Sequence, residues 1–233
     1  MISQLATYTA WSPNHSGERY APIDRITPHC TVGYVSMPSL GAIFGDPKRQ
    51  ASSNYGIGKN GDIAAFVDEN NRSWCSSNSA NDNRAVTIEC ASDSNPPYTV
   101  TNATWISLTR LCLDICIRYD KHKLIWIAKR AQALAYKPLP DEMLITVHRW
   151  FANKSCPGDF IFGRLGTLAD DVTVSLTCGT PVYTVQQGDT LWGIARTWYG
   201  VGGLVTVARV NAIRAKNGLS GAISAGDRLF LPL

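Results

Sequence analysis

Twelve residues, VHRWFANKSCPG at positions 147–158, constrain what this chain can fold into more than any other stretch. They set an imidazole, an ammonium and a thiol close together and close on Pro157-Gly158. Ahead of them Met143, Ile145 and Val147 alternate with other residues, which is the period of a strand. Residues 152–155 and Pro157-Gly158 read as loop. A strand that ends in such a loop can direct His148 and Cys156 at one metal ion, because neutral imidazole and thiolate are zinc's preferred donors. Two ligands do not hold a catalytic zinc. A third has to arrive from elsewhere, so the fold must bring another element beside this one.

The chain has four histidines to draw on. His122 stands between Lys121 and Lys123, whose charges disfavour a bound cation, and His15 falls in a polar, turn-rich lead-in of residues 1–20. His29 ends the strand-like run IDRITPHC (residues 23–30) and is the best third ligand. Two His and one Cys leave a fourth position for water, as catalytic zinc sites do, and zinc lowers the pKa of that water toward ~7. Spacing alone leaves three readings open: a hydrolytic site, a structural zinc, or no metal. Other metal chemistries fit badly. The H-x-E and P-C-x-x-C pair of zinc deaminases is absent, as is H-E-x-x-H. No methionine stands near Cys156 to serve as the axial ligand of a blue-copper site.

Around these candidates the chain alternates strands and helices, the pattern of an α/β domain. Residues 52–67, SSNYGIGKNGDIAAFV, read as a hairpin turning at Asn60-Gly61, with Tyr55 in its first arm. NSANDN (residues 78–83) is a polar loop, and AVTIECA (residues 85–91) is an apolar run carrying Glu89. A carboxylate buried in such a run needs a partner or a role. Residues 104–120 are the clearest helix, with Thr104 as N-cap and Leu108, Leu111, Cys112, Ile115 and Tyr119 as its buried stripe. A last helix is expected over residues 160–168. TCGTPV (residues 177–182) reads as a Gly/Pro linker.

Length fits one domain of ordinary size, residues 1–176, and a small module, residues 183–233. The module carries Arg196, Arg209, Arg214, Lys216 and Arg228 against Asp189 and Asp227, so it holds most of the chain's net charge of +4. That balance permits attraction to an anionic polymer such as a cell wall. No run of 18 apolar residues occurs, so no membrane insertion is expected. The first residues lack the basic and apolar regions of a signal peptide. The seven cysteines are spaced as buried thiols of a protein made in reducing cytoplasm rather than as a disulfide framework.

Taken together, ITPHC (residues 26–30), NYGIGKNGDI (54–63), NDNRAVTIE (81–89) and HRWFANKSCPG (148–158) resemble the zinc-dependent N-acetylmuramoyl-L-alanine amidases of the type-2 amidase and peptidoglycan-recognition superfamily, the phage endolysins in particular. The resemblance covers residues 20–170 and implies a central mixed β-sheet flanked by helices. It implies one zinc held by His29, His148 and Cys156, with Tyr55 and Lys154 as catalytic residues. Tyr55 would orient water or assist proton transfer, Lys154 would stabilise the oxyanion, and Trp74, Asn78 and Glu89 would line the groove. Two departures stand out: Trp150, where an acidic residue often follows the His-Arg pair, and Pro28 before the first ligand. Both are placed to affect the surroundings of the metal or the groove.

YTVQQGDTLWGIARTWYG (residues 183–200) and ISAGDRLFLPL (223–233) resemble a LysM repeat, which implies a βααβ fold. Asn211 is expected to close its second helix and Asp189 or Thr190 to cap its first. Gly188, Asp189, Thr190, Leu191 and Ile213 are its candidate glycan-binding residues. The combined expectation is a peptidoglycan hydrolase, an endolysin or autolysin cleaving the amide between N-acetylmuramic acid and L-alanine. Its partners would be the stem peptide and the N-acetylglucosamine-containing glycan of bacterial peptidoglycan, not nucleic acid. It would be made in the host cytoplasm and reach the wall through a holin-type lesion. The alternatives are a non-catalytic peptidoglycan-binding protein on the same fold and a structural zinc protein with a glycan-binding tail.

Overall fold

The strand-like runs converge on one seven-stranded sheet in the structure, a computed structural model describing residues 1–232. Its members are β1 (Tyr8–Thr9), β3 (Arg25–Cys30), β4 (Tyr55–Ile57), β5 (Ile63–Ala65), β7 (Ala85–Cys90), β8 (Lys123–Ile125) and β9 (Glu142–Ile145). They lie in the order β1-β5-β4-β7-β3-β9-β8, parallel throughout except for the β4–β5 hairpin. A separate pair joins β2 (His15–Glu18) to β6 (Asn71–Ser73), so His15 is a half-buried strand residue rather than part of a surface loop. The lead-in is likewise part of the fold: β1 extends the sheet edge, and Ser3, Ser12 and Asn14 are buried.

Register sorts the side chains of the central strands. Arg25, Thr27 and His29 of β3 pair with Ala85, Thr87 and Glu89 of β7, while Ile26, Pro28 and Cys30 pair with Val86, Ile88 and Cys90. Because side chains alternate, the first set occupies one face and the second the other. The apolar face is covered by the helix α3 (Asn102–Arg118), which buries Leu108, Leu111, Cys112 and Ile115. The cap of α3 is Thr101, whose side chain accepts from Thr104 N; the Thr104 hydroxyl donates instead to Gly58 O at 2.9 Å. The opposite face is covered in part by α1 (Met37–Gly45). A Cβ on Gly56 would meet Phe66 Cε2 at 2.7 Å and Met37 Sδ at 2.9 Å, so any larger residue here would have to push these side chains aside. Two short helices, α2 (Ser79–Asp82) and α4 (Arg130–Ala135), lie in the connections. The single helix expected over residues 160–168 is two, α5 (Gly158–Phe162) and α6 (Leu165–Cys178).

The C-terminal module is βααβ: β10 (Val182–Thr184), α7 (Leu191–Tyr199), α8 (Gly203–Lys216) and β11 (Arg228–Phe230), with β10 antiparallel to β11. Thr190 caps α7 through Gly193 N, and α8 runs past Asn211 to Lys216. The expected linker is not a free tether. It holds the end of α6, a left-handed Gly179 cap and the first residue of β10. The module is also docked. Leu191, Ile194 and Trp198 join the same apolar core as α3, Val182 N donates to Ser175 Oγ at 2.7 Å, and Thr184 N donates to the buried Asp171 carboxylate at 2.6 Å. Deleting residues 182–233 is therefore expected to cost the remaining domain at least ~2 kcal/mol, a fall of about 4–8 °C in Tm for a chain of this size. Calorimetry of the truncated chain checks this; an unchanged melting temperature would show that the two parts are independent.

Candidate active site

The parallel strands β3, β7 and β9 end on the same edge of the sheet, and ligand sites of such sheets form beyond the carboxyl ends of their strands. His29 is the penultimate residue of β3 and sits directly opposite Glu89 on β7. β9 leads through Thr146 and Val147 to a 3-10 turn at His148–Trp150. The loop that follows is folded back on itself. Arg149 N donates to Cys156 O at 3.1 Å, and Arg149 Nη1 meets Asp159 Oδ1 at 2.8 Å. This returns Cys156 to the histidine: its Sγ lies 3.2 Å from His29 Nδ1.

The donor atoms of His29, His148 and Cys156 lie within 4.8 Å of one another, and the two rings are 5.1 Å apart. Donors bonded at 2.0–2.3 Å around a tetrahedral ion stand about 3.5 Å apart, so the group needs little movement to hold zinc. Electrostatics agree. Burial, with His148 beside it, holds His29 well below its ordinary pKa, and burial, with Lys154 nearby, lowers His148. Both rings stay neutral, the form that ligates. Burial pushes the Cys156 thiol up, so an ion must displace its proton. The residues fit the metal.

Glu89 shares this face. Its Oε1 is 4.0 Å from His29 Nδ1, its Oε2 is buried without a hydrogen-bond partner, and burial raises the carboxyl to about 7. The groove-lining residue expected from the sequence thus stands beside the three donors, opposite His29. An adjoining cavity of about 490 Å³ is lined by His148, Lys154, Trp74, Asn78, Arg49 and Arg72 among others. Lys154 is exposed there, and Asn78 also caps α2 through Asn81 N.

Tyr55 is not brought to this group. It pairs with Ile88, one residue before Glu89, so the period of the strand sends it to the opposite face. There it is fully buried, its hydroxyl donating to Glu69 and accepting from Ser3 N at 2.7 Å. The β4 residue opposite Glu89 is Gly56, which has no side chain to offer. Replacing Tyr55 by phenylalanine is expected to cost ~1–3 kcal/mol of stability by orphaning Ser3 N and weakening the Glu69 cluster, with turnover unchanged. Melting curves and rates measured together check it; lost turnover at unchanged stability would contradict this placement.

Trp150 is also turned away. It is buried and stacks on Trp126 with centroids 5.3 Å apart, so it packs the core rather than the groove. Pro28 costs the sheet little, since the β3–β9 ladder ends with Thr146 N donating to Ile26 O, just before residue 28 would have to donate. In the C-terminal module Leu191 and Ile213 are core residues and present no surface to a glycan. Gly188 and Thr190 are exposed, and Asp189 is held by Tyr183 Oη and Gln186 N at 2.7 Å each.

Three further residues lacked a sequence signal. Asn81 joins Thr27 and Thr146 in a buried network beneath the histidines, donating to Thr27 Oγ1 at 3.1 Å and accepting from Thr146 Oγ1 at 2.9 Å. Asp82 accepts from Cys75 N and Ser76 N at 3.1 Å and so fixes the loop over the site. Cys75, carried by that loop, lies with its Sγ 3.8 Å from Glu89 Oε1. Asn81 and Asp82 fall in the stretch read as a polar loop, where composition hides which polar groups point inward.

The N-acetylmuramoyl-L-alanine amidase family matches residues 19–159, and the LysM domain family matches residues 183–232. Solved structures of similar shape include an endolysin from a Thermus scotoductus bacteriophage, 15% identical, covering 70% of this chain and 97% of that one with a TM-score of 0.49. A mutant endolysin from Bacillus subtilis is 14% identical, covering 71% and 97%, with a TM-score of 0.48. An N-acetylmuramoyl-L-alanine amidase from Clostridium intestinale is 19% identical, covering 69% and 94%, with a TM-score of 0.46. No curated protein matches the chain. The family match spans more than half of the 233 residues, and on it the chain belongs to the N-acetylmuramoyl-L-alanine amidases, a peptidoglycan amidase with a C-terminal LysM domain.

Proposed function

We propose that the protein cleaves the amide between the lactyl group of N-acetylmuramic acid and L-alanine of the stem peptide, using one zinc held by His29, His148 and Cys156. One observation carries this reading: three zinc-type donors within 4.8 Å of one another, beside a carboxylate on the same sheet face. When bound, the ion supplies Lewis acidity, polarising the scissile carbonyl and acidifying a water. The protein's own groups do the rest. Glu89, opposite His29 on the same sheet face, takes the proton of the attacking water and returns it to the departing alanine nitrogen. The Lys154 ammonium, on the cavity wall beside His148, offsets the negative charge that develops on the carbonyl oxygen. Trp74 and Asn78 hold the substrate in the groove.

Lys154→Ala is expected to lower kcat about 10²-fold with zinc content unchanged, the loss typical of one oxyanion donor. Turnover and metal analysis of the same preparation check it. The LysM module would hold N-acetylglucosamine-containing glycan through the exposed loop at Gly188 and Thr190, raising enzyme concentration at the wall. No described helix is long and apolar enough to cross a membrane. Synthesis in a host cytoplasm followed by release to the wall through a holin-type lesion fits an endolysin.

The test is mass spectrometry of the soluble products from purified peptidoglycan. The proposal requires stem peptides with a free L-alanine amino terminus, lost on chelation and restored by zinc. Release of sugar reducing ends instead, or of nothing from several wall types, would overturn it. The second outcome would favour a wall-binding protein on the same fold.

A further inference from the structure

The two candidate imidazoles differ in what holds their far nitrogen. His29 Nε2 is buried with no hydrogen-bond partner among the described residues, whereas His148 Nε2 lies 3.2 Å from Ser77 Oγ. Ser77 stands in the loop between β6 and α2 with φ +58°, in the left-handed region that a residue with a Cβ adopts at a cost. The loop around it is tied down on both sides, so it cannot relax. Before it, Cys75 N and Ser76 N both donate to the Asp82 carboxylate at 3.1 Å. After it, Asn78 Oδ1 accepts from Asn81 N at 2.8 Å and Asn78 O from Asp82 N at 2.9 Å. Strain that a loop imposes in this way is kept for what it places. Here it places a hydroxyl against a candidate metal ligand.

We propose that Ser77 is a positioning residue for the metal ligand His148. Its Oγ accepts the Nε2 proton of the ring, which fixes the tautomer and leaves Nδ1 for the ion. Nδ1 is also the nitrogen that His29 turns to Cys156 Sγ, 3.2 Å away, so both rings offer the ion the same atom. An imidazole held by its far nitrogen keeps its ring orientation and is the more basic donor. The position open to water is untouched, because Ser77 holds the ligand and not the ion. The hydroxyl also keeps a proton of its own to give. Ser77 lines the cavity with Trp74, Asn78 and Lys154, so that proton is directed to an acceptor on the bound stem peptide.

This inference rests on the reading of the centre as a metal site, and two measurements separate them. Nitrogen-15 spectra of the histidine rings in the zinc-loaded full chain report which nitrogen carries a proton and which carries metal. For His148 the expected result is a protonated Nε2 and a metal-bound Nδ1. The second measurement is the rate at which a chelator removes zinc from the wild type, Ser77→Ala and Ser77→Gly. Both variants should lose zinc about 10-fold faster. Glycine accepts the left-handed backbone without cost, so Ser77→Gly should melt no lower than the wild type. Faster release from that variant therefore reports the missing hydroxyl and not a misfolded loop. A protonated Nδ1 with Nε2 on the metal, or wild-type release from both variants, overturns the inference and leaves the three-ligand site intact. Zinc that shifts no ring nitrogen of His29 or His148 overturns the metal reading itself, and this inference with it.

Discussion

Cys156→Ala is expected to lose zinc on dialysis and to release stem peptide from peptidoglycan ~10³-fold or more slowly than the wild type. The magnitude follows from what the ion contributes: several kcal/mol of charge stabilisation and a water acidic enough to react near neutral pH. Cys156 is the one expected ligand that does not come from a strand or its immediate continuation. It reaches His29 only because residues 149–156 fold back, with Arg149 N bonded to Cys156 O and Arg149 Nη1 to Asp159. Those bonds do not involve the thiol, so the loop survives its removal. Truncating a small buried side chain is expected to lower the stability of the metal-free protein by only ~1–2 kcal/mol. Metal analysis, a melting curve and the product assay on one preparation separate these effects. Zinc retained with wild-type affinity, together with wild-type turnover, would show that Cys156 is not a ligand.

Glu89→Gln is the second large effect. The amide keeps the size and the position opposite His29 but cannot accept a proton, so kcat is expected to fall 10²–10⁴-fold, the range for loss of a general base. Zinc content should not change. Stability should not fall either, because the carboxylate is buried with Oε2 unpartnered, and a neutral amide costs less to bury. The signature is therefore a stable, metal-loaded and inactive protein. Residual turnover above a tenth of the wild type would assign the proton transfers to another group.

The sheet and its site were legible in the sequence unequally, and the reasons are physical. Period-two alternation and the Asn60-Gly61 turn identified β3, β4, β5, β7 and β9, and two strand ends carrying His29 and His148 could meet only if their strands were near neighbours. What a motif cannot carry is register. Tyr55 and Gly56 are one residue apart, yet pairing with Ile88 rather than Glu89 puts the tyrosine on the far side of the sheet. The same limit governs Trp150, which continues past His148 into the core against Trp126. Cys75 and Asp82 were illegible for another cause. Nothing in WCSSNSAND marks which polar groups turn inward, and only the fold of that loop brings the thiol to Glu89. Docking of the C-terminal module on α3 and α6 was hidden by its composition, since Gly and Pro at residues 179–181 suit a turn as well as a tether.

His29, His148 and Cys156 are expected to hold one zinc ion beside Glu89. This is tested most directly by anomalous scattering at the zinc edge from crystals of the full chain. A single peak is expected about 2.0–2.3 Å from one nitrogen of each histidine and from Cys156 Sγ. No peak at that position in zinc-loaded crystals, or a peak held by other residues, would contradict it.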